Sequence, residues 1–208
     1  MNALIKYATE GIGTFFLVLT ICLSGHPLAV GIIFMALIYI GKSISGGHYN
    51  PATTCIVWLG KGISLVDTVG YVVGQLVGAF IAAGLFNILS ERTFYPIPSA
   101  EISLWQLMLV ELLFSFIFFM VILVVQDAKS GLEQLDGIII GFTLFALMLT
   151  LGSITGSTFN PAVAIGTSLF DLVRGGGFGL RHIPLYTLAP IAGAALAFIT
   201  HKTVLNQR

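Results

Sequence analysis

Two Asn-Pro-Ala triplets, Asn50-Pro51-Ala52 and Asn160-Pro161-Ala162, stand 110 residues apart. Each follows a glycine-containing break in an otherwise apolar chain: Gly46-Gly47-His48-Tyr49 before the first, Gly156-Ser157-Thr158-Phe159 before the second. Asn suits a helix N-cap, because its side-chain oxygen accepts a hydrogen bond from an early helix N–H. Pro fits the first helical position, where its missing N–H is not needed. An ordinary soluble helix can start the same way. Each Asn also has amide N–H groups to present to a cavity, and a helix N-terminus adds partial positive charge. Two such starts brought together make a patch of donors that receives a solute oxygen and disfavours cations. Run extended, the preceding stretches would turn the carbonyls of Gly46, Gly47, His48, Gly156, Ser157 and Thr158 toward the same space as a ladder of acceptors. This is the chemistry of a polar lining rather than of bond making. No nucleophile–base pair, metal-ligand cluster or phosphate loop accompanies it, so the sequence implies no enzyme, no metal and no cofactor. The glycine-rich run at 175–179 lacks a following Lys and a strand context and reads as a loop.

Two acids, Glu10 and Glu111, sit inside apolar runs. Carboxylates are costly in hydrocarbon and are functional candidates by default. One reading is a proton relay or ion site. The other is that each carboxylate accepts backbone N–H bonds and holds a loop of its own half. Their matched placement, far from any ionisable partner, favours the second. His48 is a candidate pH gate, but bracing of its own loop is the simpler role.

The elements that position these groups are set by composition. The chain is 57% hydrophobic and only 9% charged, against roughly 25% charged in soluble domains, and its mean hydropathy is +1.01. An all-α integral membrane protein is expected. Nine basic and nine acidic residues balance, so charge points to no nucleic acid or acidic partner. Cys22 and Cys55 are too few for a disulfide framework. The N-terminal apolar run carries Glu10 and no clear cleavage site, and reads as a retained span. Six spans are expected, at about 6–24, 28–45, 66–89, 102–125, 137–153 and 184–202. Two shorter segments, 51–59 and 161–170, begin at the Asn-Pro pairs. At 1.5 Å per residue each reaches ~14 Å, about half of a ~30 Å hydrocarbon core. A chain break at that depth is tolerated only inside protein or along a watery cavity. Lys6, Lys42, Lys61, Lys129, Lys202 and Arg208 would share one side and Arg92, Arg174 and Arg181 the other, which favours cytoplasmic termini.

The chain also repeats itself. At an offset of 110, Gly31, Ala36, Ser43 and Gly46 match Gly141, Ala146, Ser153 and Gly156. Glu10 falls against Glu111, and Tyr71 and Gly78 fall against Tyr186 and Gly193. One domain, 1–208, is expected to hold two copies of a unit, about 1–95 and 96–208. Each copy is span, span, half-helix, span, and three full spans per copy invert the second. Small residues recur every four along the last span of each copy: Gly70, Gly74, Gly78, Ala82, and Ala189, Gly193, Ala197. That face is expected to press on the half-helices or on the sister span.

The paired triplets, the SGGHYNPA form of the first, a Glu in spans one and four, and inverted halves together resemble the aquaporin / major intrinsic protein family. The resemblance covers essentially the whole chain. It implies six transmembrane helices with two re-entrant half-helices, a homotetramer with one pore per subunit, and passive flow of water or small neutral solutes across the bilayer. It also implies an outer selectivity filter at Val30, Met148, Ser157 and Val163. Water-selective members typically have an aromatic, a His and an Arg at such positions, and this chain has none of them. The filter is therefore expected to be apolar, with Met148 flexible. It is either wide enough for glycerol, urea or ammonia, or plugged by Met148. The short loop of about 90–101 and the absence of an Asp after the second triplet weigh against a dedicated glycerol facilitator. Arg174 or Arg181 could lend the missing guanidinium, though solvated loop charges are the simpler reading. A secondary transporter and a non-conducting structural protein on the same fold are the rival readings.

Overall fold

Helices are all that the described residues form, as the hydropathy demands. α1 (Ala3–Ser24), α2 (Pro27–Gly41), α3 (Pro51–Leu59), α4 (Leu65–Ser90), α5 (Leu104–Gln126), α6 (Asp136–Thr155), α7 (Pro161–Arg174) and α8 (Ile183–Thr200) follow in chain order. A 3-10 turn at Phe178–His182 leads into α8, and a π turn at His201–Leu205 follows it. The computed structural model describes residues 2–127, 132, 134–156 and 159–205.

Local chemistry sets the helix ends. The Asn2 side chain accepts from Leu4 N–H at 3.0 Å and opens α1. Gly25, at φ 59°, closes it in the left-handed conformation that a side chain disfavours. Ser64 accepts from Asp67 N–H at 3.0 Å to open α4. Side chains such as Ile12, Val73, Ile81, Leu113 and Leu188 stay exposed on the outer helix faces, which suits a hydrocarbon surround.

Among the described residues, five stretches are long and apolar enough to cross a bilayer: α1, α4, α5, α6 and Phe178–Val204. The second expected span, 28–45, is shorter than that. α2 has 15 residues and rises about 22 Å. The chain leaves the helix at Gly41, whose carbonyl accepts from Ser45 N–H and Gly46 N–H at 2.8 and 3.2 Å. Gly46 and Gly47 then take φ of 96° and 67°, open to glycine without strain, and turn the chain inward. The half-helix expected at 161–170 instead continues to Arg174. Its extra turn contains Asp171, which is fully buried and accepts from Thr93 Oγ1 at 2.7 Å and from Gly179 N–H at 3.1 Å. A carboxylate so satisfied continues a helix that its polarity alone would end.

The small-residue faces pack differently from expectation. The stripe glycines of α4 press on α1: a Cβ on Gly74 would lie 2.6 Å from the Tyr7 carbonyl oxygen, and one on Gly78 would overlap the Gly11 carbonyl, whereas Gly84 faces Phe170 of α7. Gly193 of α8 faces α5 in the same way, 2.6 Å from the Leu112 carbonyl oxygen. α4 thus locks to α1, and α8 to α5. The neighbouring Ala79 of α4 does meet a half-helix, at Gly166 of α7. α2 and α6 cross at Gly31 and Gly141, where a Cβ on either would lie 2.6 Å from the other's carbonyl oxygen. Lys42, just past α2, pairs with the fully buried Asp136 that opens α6.

Candidate functional site

The two Asn-Pro-Ala triplets start α3 and α7 with Asn50 and Asn160 as N-caps in extended conformation and a proline at the first turn. Asn50 Oδ1 accepts from Ala52 N–H at 2.9 Å, and Asn160 Oδ1 accepts from Ala162 N–H at 3.0 Å. Each amide nitrogen then reaches across to the other loop. Asn50 Nδ2 donates to the Phe159 carbonyl and Asn160 Nδ2 to the Tyr49 carbonyl, both at 2.9 Å. Tyr49 and Phe159, the residues just before each Asn, adopt φ of 50° and 44°. For residues with a Cβ that conformation costs about 1–2 kcal/mol each. It accompanies the two carbonyls that receive the crossing bonds. The helix starts therefore meet head to head, with Asn50 and Asn160 only 2% and 4% exposed. An amide nitrogen has two protons. At Asn50 the crossing bond uses one, and the other has no partner among the described residues.

Glu10 of α1 holds the first loop. Its Oε1 accepts from Ser45 Oγ at 2.6 Å and His48 N–H at 2.9 Å. Its Oε2 accepts from Tyr49 N–H at 2.6 Å and Gln75 Nε2 at 2.8 Å. Gln75 also donates to Thr54 Oγ1 at 3.0 Å, and His48 Nδ1 lies 3.1 Å from the same hydroxyl. His48 stacks edge-on against Tyr71 at 5.2 Å, and Tyr71 donates to the Ser45 carbonyl at 2.7 Å. The carbonyls of Gly46, Gly47 and His48 accept no hydrogen bond from the described residues. In the second half Glu111 is fully buried on α5, and Tyr186 donates to the Thr155 carbonyl as Tyr71 does to that of Ser45. Gly156 follows at φ 64°. Ser157 and Thr158 lie outside the described residues.

Two adjoining spaces lead to the asparagines, which line the smaller one. A vestibule of about 510 Å³ is lined by the 93–97 stretch, Ile21, Met148, Gly152 and Gly156 among others. Inward of it, a space of about 10 Å³ is lined by Leu17, Ile21, Val30, Phe34, Asn50, Phe118, Leu144, Met148, Asn160 and Val163. That is about what one water needs. Ile21 and Met148 border both spaces and divide them. Three of the four expected filter positions, Val30, Met148 and Val163, thus converge on one lumen with the two asparagines. Arg174 and Arg181 line neither space.

Sequence reasoning missed Leu17, Ile21, Phe34, Phe118, Leu144 and Gln75. The repeat held the signal for most of them. Leu17 and Phe118 are 101 apart, as Glu10 and Glu111 are, and Phe34 and Leu144 are 110 apart, as the two asparagines are. Phe34 and Leu144 also lie one helical turn from Val30 and Met148, on the same helix faces. Gln75 was a polar residue inside the small-residue stripe of α4, and it is fully buried.

Comparison with known proteins agrees with this geometry. Residues 20–201 match the family model described as "Major intrinsic protein". The chain is 36% identical to the Glycerol uptake facilitator protein-like 6 of Lactiplantibacillus plantarum, over 92% of this chain and 94% of that protein. It is 34% identical to Aquaporin AqpM of Methanothermobacter thermautotrophicus, over 86% of this chain and 76% of that protein. The X-ray structure of the aquaglyceroporin from Plasmodium falciparum superposes with a TM-score of 0.87 at 22% identity, covering 98% of this chain and 97% of that one, and so shares the fold. The chain belongs to the major intrinsic protein family, and is an integral, multi-pass membrane channel rather than an enzyme.

Proposed function

We propose that the chain conducts water and small neutral solutes passively through the lumen at Asn50 and Asn160, and rejects cations there. The reciprocal bonds between the two loops carry this reading: they hold two helix starts face to face, with both asparagines lining one narrow space and the positive helix ends turned toward it. Val30, Met148 and Val163, with Ser157, act as an apolar outer filter lacking an Arg. The carbonyls of the 46–48 stretch, which accept no hydrogen bond from the described residues, act as acceptors along the path, continued by Gly156, Ser157 and Thr158. Glu10 and Glu111 brace the loops, a role supported at Glu10 by four donors converging on its two oxygens. Those donors also speak against a transported proton or ion at that carboxylate. The halves, about 1–95 and 96–208, are inverted copies in this reading. The matched contacts of Gly31 with Gly141 and of Tyr71 and Tyr186 with their loops support it. The working form is a homotetramer with cytoplasmic termini, as the lysine bias and the family resemblance imply.

A plugged or non-conducting role is the second reading, favoured by the small volume of the inner space. Stopped-flow light scattering of proteoliposomes under a sucrose gradient decides between them. Shrinkage well faster than that of empty liposomes is expected. Shrinkage at the empty-liposome rate, with oligomers correctly assembled, would replace the open-channel reading with the plugged one.

A further inference from the structure

We infer that Phe34 and Phe118 form a second constriction beside the asparagine pair, which admits neutral solutes of one or two heavy atoms, ammonia among them, and excludes polyols. The inference rests on the channel reading above and narrows its solute class. Both rings line the inner space together with Asn50 and Asn160. Their centroids are 6.3 Å apart, and they are 3% and 1% exposed. Phe118 is backed by Phe119 at 5.3 Å and by Phe159 at 6.3 Å. Phe159 is itself held, since its carbonyl receives the Asn50 amide. The ring therefore has little room to swing aside.

The matched positions show what was added. At the offsets that pair Glu10 with Glu111 and Asn50 with Asn160, Phe118 answers to Leu17 and Phe34 to Leu144. All four line the lumen. Two carry a ring in place of an isobutyl group, and these two meet. Besides Asn50 and Asn160, every described residue lining this space is apolar. Among the described residues, a solute passing here meets the side-chain amides of those two asparagines and nearby loop carbonyls in place of water. Ammonia offers its lone pair to the second N–H of Asn50, turns its own N–H groups to the loop carbonyls, and needs no more room than one water. Glycerol carries three hydroxyls on a three-carbon chain and would leave some of them unpaired against the rings, which is unfavourable in an apolar site.

Proteoliposomes containing the parent, Phe118→Leu, Phe118→Ala and Phe34→Leu would be compared in three assays: water flow under a sucrose gradient, glycerol entry by light scattering, and ammonia entry by alkalinisation of an entrapped pH-sensitive dye. The leucine variants copy the matched residues and keep the fold even where alanine does not. Intact oligomers in detergent are the entry condition for each sample. The parent is expected to pass water and ammonia and to admit glycerol no faster than empty liposomes. The Phe118 variants are expected to raise glycerol entry by about tenfold or more with ammonia entry nearly unchanged. Rapid glycerol entry in the parent, or continued exclusion in every intact variant that conducts water, would overturn the constriction while leaving the channel standing. Absence of any flux in parent and variants alike would overturn the channel reading itself.

Discussion

Replacement of Glu10 by Gln separates a bracing carboxylate from a transporting one. The four donors around Glu10 are divided two to each oxygen: Ser45 Oγ and His48 N–H on Oε1, Tyr49 N–H and Gln75 Nε2 on Oε2. A glutamine offers one oxygen and one NH2. Its NH2 is best placed toward Ser45, whose hydroxyl can reverse and accept, which leaves the His48 N–H facing another donor. One buried N–H without a partner costs about 1–3 kcal/mol, and three bonds to a charged acceptor become neutral ones, each weaker by about 1 kcal/mol. Relief from burying a charge offsets part of this. A net loss of about 2–4 kcal/mol results, and at about 2–4 °C per kcal/mol for a chain of this size the melting point falls by roughly 4–16 °C. Glu10→Ala leaves both loop N–H groups unpaired and is expected to fall further. Thermal unfolding of purified protein in detergent, followed by tryptophan fluorescence, gives the order parent, Gln, Ala. Water permeability of the surviving protein should fall as the first loop loosens. An unchanged melting point for Glu10→Gln, combined with lost transport, would refute bracing and restore the proton-relay reading.

Three further outcomes follow from the contacts. Gly78→Ala drives a methyl into the Gly11 carbonyl of α1 and should destabilise by about 1–3 kcal/mol, whereas Gly152→Ala meets nothing within 4 Å and should be neutral or stabilise by up to about 1 kcal/mol; equal melting points for the two would contradict the α1–α4 packing. Asn50→Asp keeps the cap on Ala52 but sets an oxygen against the Phe159 carbonyl, now 2.9 Å from the amide nitrogen. Water permeability should drop and cation leak should rise, measured as potassium-driven acidification or alkalinisation of dye-loaded vesicles. Met148→Ala widens the passage between vestibule and inner space, yet glycerol should remain excluded because the two rings lie further in; glycerol entry on this change alone would move selectivity to the outer filter.

Backbone chemistry was the legible part of this chain. A proline after an asparagine, both inside a run too apolar for a loop, has few physical interpretations, so the starts of α3 and α7 were readable to the residue. The all-helical class followed from hydropathy. Helix ends governed by tertiary partners were not readable. α7 continues past Phe170 because Thr93 and Gly179, remote in sequence or beyond a glycine turn, satisfy Asp171. α2 stops at Gly41, four residues short of the expected end at 45, because the next residues must deliver His48 and Tyr49 to Glu10. Packing partners were misread for a related reason. A glycine stripe announces a close approach but not the identity of the neighbour, and α1 answers it with the Tyr7 and Gly11 backbone rather than with a stripe of its own.

Lumen residues were hardest to read because an apolar residue facing a pore and one facing a core have the same composition. Phe34 and Phe118 sit in helices with apolar residues on every side, and no hydropathy pattern distinguishes the inner face from the outer. The repeat breaks that degeneracy. Matched contacts such as those of Gly31 with Gly141 and of Asn50 and Asn160 with opposite loops fix the scaffold. Departures from matching then mark where one side of the lumen was altered without disturbing that scaffold. Val163 answers to Thr53, Met148 to Ile38, Phe118 to Leu17 and Phe34 to Leu144, and the first-named of each pair lies on the inner space. A difference between matched positions leaves the helix pairing intact but changes the size and polarity of the path. On the channel reading proposed above, these four lumen-facing departures, rather than the matched contacts, set the choice of solute.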